Sequence, residues 1–176
     1  MKMRPQRLFI ALPFPDPVKA ALNETVADLK AQGVTGNYSR PENYHITLVF
    51  VGETTQGKEI IEAVKEVSFT PFSVELDGGG HFRDLYWVGL KPSEELNEYV
   101  RRLRMALDRA GISYDRKGFK PHVTVLRRAV PLKEGAAISL SVSKASMEVT
   151  HISVMRSERI HGVLTYTEVG GADAVR

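Results

Sequence analysis

The chain contains no cysteine. That excludes disulfides, thiolate metal sites and a cysteine nucleophile. No apolar run approaches the ~20 residues needed to span a bilayer. The nearest thing to a signal-peptide core, Leu8 to Phe14, is short, contains Pro13 and lacks a small-residue cleavage site. The expectation is a cytoplasmic protein with no membrane association. Net charge is also small, +3, and by itself selects no partner.

What is present is a chain of 176 residues, 43% hydrophobic, enough for an ordinary core. That length suits one domain or two intimate lobes. Charge is unevenly placed. Between Arg101 and Lys133 there are ten basic residues and only two acidic ones, Asp108 and Asp115. Such a window is either a solvated helix face with loop lysines, or a surface that gathers an anionic partner.

Two short stretches organise the rest. His45-Ile46-Thr47-Leu48 and His122-Val123-Thr124-Val125 are each a His-x-Thr step inside an apolar run that reads as a strand. Side chains alternate along a strand, so His and Thr share one face while the apolar pair points to the core.

In chain order, Arg7 to Leu12 reads as a strand. Asp16 is placed as a helix cap with Pro17 at the first position, and Gly33 as the helix end. Val34 to Asn43 reads as a polar loop, and Tyr44 to Val51 as the first motif strand. A helix from about Gly57 to Val67 and a strand from Phe72 to Leu76 follow. Gly78-Gly79-Gly80 is a flexible turn or bulge and not a phosphate loop, because no Lys-Ser/Thr follows. Tyr86 to Leu90 is a strand. Ser93 caps a helix carrying Leu96, Val100, Leu103 and Leu107 on one stripe, and Gly111 ends it. His122 to Leu126 is the second motif strand. Ile138 to Val142, Glu148 to Met155 and Val163 to Glu168 alternate as strands, and Gly170 to Arg176 reads as a frayed tail.

Strand–helix–strand recurs. Phe9-Ile10-Ala11-Leu12 aligns with Trp87-Val88-Gly89-Leu90; Leu12 precedes His45 by 33 residues and Leu90 precedes His122 by 32. This is a degenerate duplication with units at about 7–52 and 86–128 in a single bilobal domain over 1–176. A pseudo-twofold axis would set the two motif strands facing each other across a cleft. The second half has no clear counterpart of the 57–67 helix.

Two histidines suit phosphodiester chemistry. One activates the attacking oxygen and the other protonates the leaving oxygen, because imidazole titrates near neutrality. Threonine hydroxyls on the same faces supply donors for the non-bridging oxygens. No metal or cofactor is required. A metal site from His45, His122 and His81 lacks a tight ligand spacing. The structural alternative is two histidines satisfied by neighbouring backbone groups.

These residues resemble the two signature motifs of the 2H phosphoesterase superfamily, and within it the RNA 2′,3′-cyclic phosphodiesterases, also called the 2′-5′ RNA ligase family. The similarity extends to Arg7-Leu8-Phe9-Ile10-Ala11-Leu12, Pro41-Glu42-Asn43-Tyr44, Phe50-Val51-Gly52, Gly80-His81-Phe82, Leu85 to Gly89, Lys120-Pro121-His122 and Arg156-Ser157. The resemblance implies an α+β bilobal fold with two antiparallel sheets lining a central cleft and helices outside. It implies metal-independent hydrolysis of an RNA 2′,3′-cyclic phosphate end to a 2′-phosphate, with 2′-5′ ligation as the reverse reaction in some members. The partner it implies is RNA with such an end, tRNA halves among the candidates. His45 and His122 take the catalytic roles; His122 as base and His45 as acid is the direction preferred here, although the pseudo-symmetry makes the two roles interchangeable in sequence. Thr47 and Thr124 take the phosphate-binding roles, and Arg127 matches a basic residue after the second motif. Arg127 has the opposite parity to His122 and Thr124, so the strand must twist or end before it. The second motif ends in Val125 where leucine is common.

Phe9 is a candidate platform for a terminal base, although strand aromatics are more often core. His81, Phe82 and Arg83 read as a surface loop, His151 as a satisfied sheet histidine, and His161 as solvent-exposed. One of Tyr86 and Trp87 belongs to the core. Arg101, Arg102 and Arg104 sit on an outer helix. Three other readings compete: an RNA-end or nucleotide binding module without turnover, an enzyme for small cyclic nucleotides or an ADP-ribose cyclic phosphate, and a purely structural protein. No heptad or long apolar stripe suggests an oligomer, so a monomer is the expectation.

Overall fold

A computed structural model describes residues 4–176. Two antiparallel sheets carry the fold. The first orders β3 (His45–Thr54), β1 (Gln6–Pro13), β8 (His151–Ile160) and β9 (Val163–Asp173). The second orders β2 (Thr35–Tyr38), β6 (His122–Val130), β5 (Leu85–Leu90), β4 (Phe72–Phe82) and β7 (Ser146–Val149). Replacing β3-β1-β8-β9 by β6-β5-β4-β7 gives the same arrangement, with β2 added outside β6. The expected pseudo-twofold pair of sheets is therefore present in the strand order. β3 and β6 run beside each other where the sheets meet.

Three α-helices cover the faces away from the cleft: α1 (Asp16–Ala31), α2 (Gly57–Glu66) and α3 (Glu94–Arg109). None is long and apolar enough to cross a membrane. In α3 the Ser93 hydroxyl accepts the Leu96 amide at 3.1 Å, and the acidic Glu94 and Glu95 sit against the positive helix end. Leu96, Tyr99, Val100, Leu103 and Leu107 bury its apolar stripe. Alternate residues of the central strands, such as Leu8, Ile10 and Leu12 in β1 and Tyr86 and Val88 in β5, join these helix faces in one continuous core.

The structure corrects several expectations. Asp16 opens α1 but makes no side-chain cap; the cap position is Pro15. Within the expected loop from Val34 to Asn43, Thr35–Tyr38 pairs with β6 as an edge strand. Gly36 makes that approach possible, because a Cβ there would meet the Arg128 and Arg127 carbonyl oxygens at 2.7 and 2.8 Å. β4 runs on through Gly78 to Gly80, with an irregularity between Leu76 and Gly79. Ile138 to Val142 joins no sheet. It lies along α1, where Gln32 pairs with both backbone groups of Ser139 (2.8 and 2.9 Å) and Thr25 donates to the Ser141 carbonyl (2.7 Å). Glu148 to Met155 is two strands in different sheets, divided at Thr150. The tail is tied down: β9 reaches Asp173, and the amides of Ala174 and Val175 bond to Thr150 and Phe69 carbonyls.

Candidate active site

His45 is the first residue of β3 and His122 the first of β6. Each ring is anchored in the same way. Nδ1 of His45 donates to the Asn43 carbonyl at 2.7 Å, and Nδ1 of His122 to the Lys120 carbonyl at 2.7 Å. A carbonyl only accepts, so Nδ1 holds the proton of the neutral ring and Nε2 is the free atom. The anchor of His45 is itself held. Asn43 ends a 3-10 turn at Pro41–Asn43, and its side-chain amide donates to the Leu164 carbonyl of β9 at 3.0 Å.

Both rings line one cleft of about 930 Å³, together with Thr47 and Thr124. Nε2 of His45 lies 2.9 Å from the Thr47 hydroxyl. The cleft walls also hold Arg7, Arg40, Arg127 and Arg159 against a single acid, Glu158, which pairs with Arg156 at 3.2 Å. Such a surface favours anions.

A β-bulge answers the parity problem at Arg127. Trp87 pairs with Thr124 and Tyr86 with Leu126, so Val125 is an extra residue in β6. Val125 and Leu126 are both fully buried, and Arg127 returns to the face of Thr124. The first motif does the same. Ala11 pairs with Thr47 and Ile10 with Val49, which makes Leu48 the extra residue. Phe50 is thus the counterpart of Arg127, and it too lines the cleft. The charge missing from Phe50 comes from β1, where the Arg7 guanidinium lies 4.9 Å from the Phe50 ring centre.

Two aromatic rings enclose His45. Phe9 lies 4.9 Å from the His45 ring, and Tyr166 stands edge-on to both at 5.0 and 5.1 Å. Phe9 touches the cleft but is only 4% exposed, which leaves little ring face for a base. Tyr166 comes from β9, two strands from β1. Ser157 of β8 lies between Arg7 and Tyr166 in register and is small enough for the tyrosine to lean across.

Burial disfavours the imidazolium of His45 and holds its pKa below the usual value; the positive charge at His122 and Arg127 adds to this, and the Asn43 carbonyl opposes it. Burial raises the Tyr166 phenol, an effect tempered by Arg127 and Arg7.

Cleft residues that carry no motif signal in the sequence are Tyr166, Arg40 and Arg159, with Arg7 and Phe50 present only as parts of wider matching stretches. His81 lies outside the cleft walls, stacked on Tyr86 at 5.1 Å. His151 is bracketed by Asp173 (2.7 Å) and Glu168 (2.5 Å), and His161 sits in the exposed β8–β9 turn with φ +50°. Three of the four arginines of α3 are spent locally: Arg101 on Glu98, Arg102 on the Ser68 carbonyl, and Arg104 on the Lys117 carbonyl.

Known proteins are similar to this chain in sequence and fold. An RNA 2′,3′-cyclic phosphodiesterase of Archaeoglobus fulgidus is 35% identical over 129 residues, covering 69% of this chain and 72% of that protein. One of Geobacillus stearothermophilus is 31% identical over 167 residues, covering 88% of this chain; the chain spans about half (53%) of that relative's length. The crystal structure of Escherichia coli LigT with 3′-AMP superposes with a TM-score of 0.83 at 25% identity, covering 98% of this chain and 99% of LigT. The sequence profile of the 2′-5′ RNA ligase superfamily matches residues 14–161, a span that contains both anchored histidines, both bulges and the strands between them. By that match and these relatives, the chain belongs to the 2′-5′ RNA ligase superfamily.

Proposed function

We propose that the protein hydrolyses RNA 2′,3′-cyclic phosphate ends to 2′-phosphates, without a metal, as a cytoplasmic monomer. The observation that carries this is the pair of histidines, each tied through Nδ1 to the backbone, that present Nε2 to one arginine-lined cleft. His122 Nε2 takes a proton from water as its oxygen attacks phosphorus. The P–O3′ bond breaks, and His45 Nε2 gives its proton to the departing 3′ oxygen. Thr47 and Thr124 hydroxyls donate to the non-bridging oxygens, with Arg127 and Arg7 balancing their charge. Thr47 exchanges its contact with His45 for the phosphate when substrate enters. With an RNA 5′-hydroxyl in place of water, the same pair forms a 2′-5′ linkage. The curated relatives named RNA 2′,3′-cyclic phosphodiesterases support the substrate, and tRNA halves are one RNA of this kind.

The test uses an RNA oligomer with a 2′,3′-cyclic phosphate end in excess EDTA. A 2′-phosphate product is expected from the wild type and from neither folded His45→Ala nor folded His122→Ala. Tight RNA binding with no wild-type product would instead mark a binding module.

A further inference from the structure

We propose that Arg40 and Arg159 form a second phosphate subsite, which takes the phosphodiester on the 5′ side of the reacting nucleotide. The inference rests on the cleft being an RNA-end site with His45 beside the departing 3′ oxygen. The proposed hydrolysis uses two of the cleft arginines, Arg7 and Arg127. Arg40 and Arg159 line the same cleft and have no part in it.

Two separate observations set this pair apart. The first is how the backbone joins them. Asn43 gives its main-chain N–H to the Arg40 carbonyl at 2.8 Å and its side-chain amide to the Leu164 carbonyl at 3.0 Å. Leu164 pairs with Arg159 across the β8–β9 hairpin. One residue thus fastens the Arg40 turn to the strands that carry Arg159. The second is charge. The positive groups that act on His45 are His122 and Arg127, and those that act on Tyr166 are Arg127 and Arg7. Arg40 and Arg159 act on neither ring, so they stand farther out. The pairing of β1 with β8 ends at Arg7 and Ser157, and Arg159 lies two residues beyond it.

Direction follows from the chemistry. In-line displacement puts the ribose on the side of the departing oxygen, which is the side of His45. Asn43, whose carbonyl anchors the His45 ring, is the residue that joins the two arginines. RNA running 5′ from that ribose passes them, and its first charge is a phosphodiester. Guanidinium forks suit phosphate oxygens. Both are open to such a ligand. Glu158, the one carboxylate of the cleft wall, is tied to Arg156 at 3.2 Å. Arg159 gives one N–H to the Gly162 carbonyl at 3.3 Å and keeps its other donors. Arg40 pairs with Glu42, but both side chains are about half exposed, and an exposed pair of this kind holds weakly.

Substrates that differ only on the 5′ side isolate the subsite. A 5′-phosphate on a nucleoside 2′,3′-cyclic phosphate is expected to lower KM on the order of tenfold in the wild type. That gain should all but vanish in Arg40→Gln and in Arg159→Gln. In a dinucleotide with a cyclic phosphate end, exchanging the linking phosphodiester for an uncharged methylphosphonate should raise KM in the wild type and not in the double variant. A wild type indifferent to the 5′-phosphate, or a gain that both variants keep, would overturn the proposal. If the wild type hydrolyses none of these compounds, the phosphodiesterase reading fails. Calorimetric binding of the two mononucleotides, with and without the 5′-phosphate, then decides the subsite by the same comparison.

Discussion

The electrostatics of His45 lead to a pH prediction. Its pKa is lowered in the empty cleft, so the proton an acid needs is disfavoured there. An anionic phosphate beside the ring restores it. kcat/KM reports the free protein and kcat the complex. With His45 as the acid, the alkaline limb of kcat/KM should therefore fall at lower pH than that of kcat. If the displaced limb is the acidic one, His45 is the base. On the proposed mechanism Thr47→Val and Thr124→Val each remove one donor to the phosphate, and a loss of roughly 10- to 100-fold in kcat is expected in single-turnover assays. His45, Thr47, His122 and Thr124 were legible because period-two alternation holds over the three residues of each motif. It fails just beyond, where Leu48 and Val125 bulge, so Arg127 looked misplaced and Phe50 was never weighed as its counterpart. Tyr166 was hidden for another reason: it reaches His45 across two strands, β8 and β1, whose order in the sheet no local pattern reveals.

Elements show the same division. Helices α1 and α3 were readable from their stripes and from Pro17, Ser93 and Gly111. β2 was not, because an edge strand of exposed polar residues carries no alternation. Its pairing depends on Gly36. Gly36→Ala should force β2 away from β6, cost about 1–3 kcal/mol in denaturant melts, and raise KM through the displaced Tyr38, Ser39 and Arg40. The β8–β9 hairpin carries a second pH dependence. Burial opposes a charge on His151, but the Glu168 and Asp173 carboxylates outweigh it and raise its pKa. Stability from that cation is complete below the ordinary imidazole value, about 6.5, and is lost as pH rises through the raised one. Glu168 is shifted down, burial being outweighed by bonds from Ser153 and His151, so its share is lost as pH falls. His151→Ala should therefore destabilise most at about pH 6 and progressively less toward about pH 9.

At the scale of the molecule, the duplication was legible because it repeats element types at nearly constant spacing, and α2 stood out as a helix without a counterpart, while the added β2 was not marked as a departure from symmetry until the strand order was known. Four cleft arginines exceed the charge of one cyclic phosphate. KM for an RNA oligomer should consequently climb more steeply with salt than KM for a nucleoside 2′,3′-cyclic phosphate; equal slopes would point to a small-molecule substrate. The two imidazoles also belong to separate hydrogen-bonded sheets that meet along β3 and β6. Each ring is fixed within its own half, yet the gap between them is a joint, like the jaw opening of a caliper. Mild heating or low denaturant that loosens this joint would silence the enzyme while every strand and helix still stands, making catalysis a finer gauge of the molecule's integrity than its secondary structure.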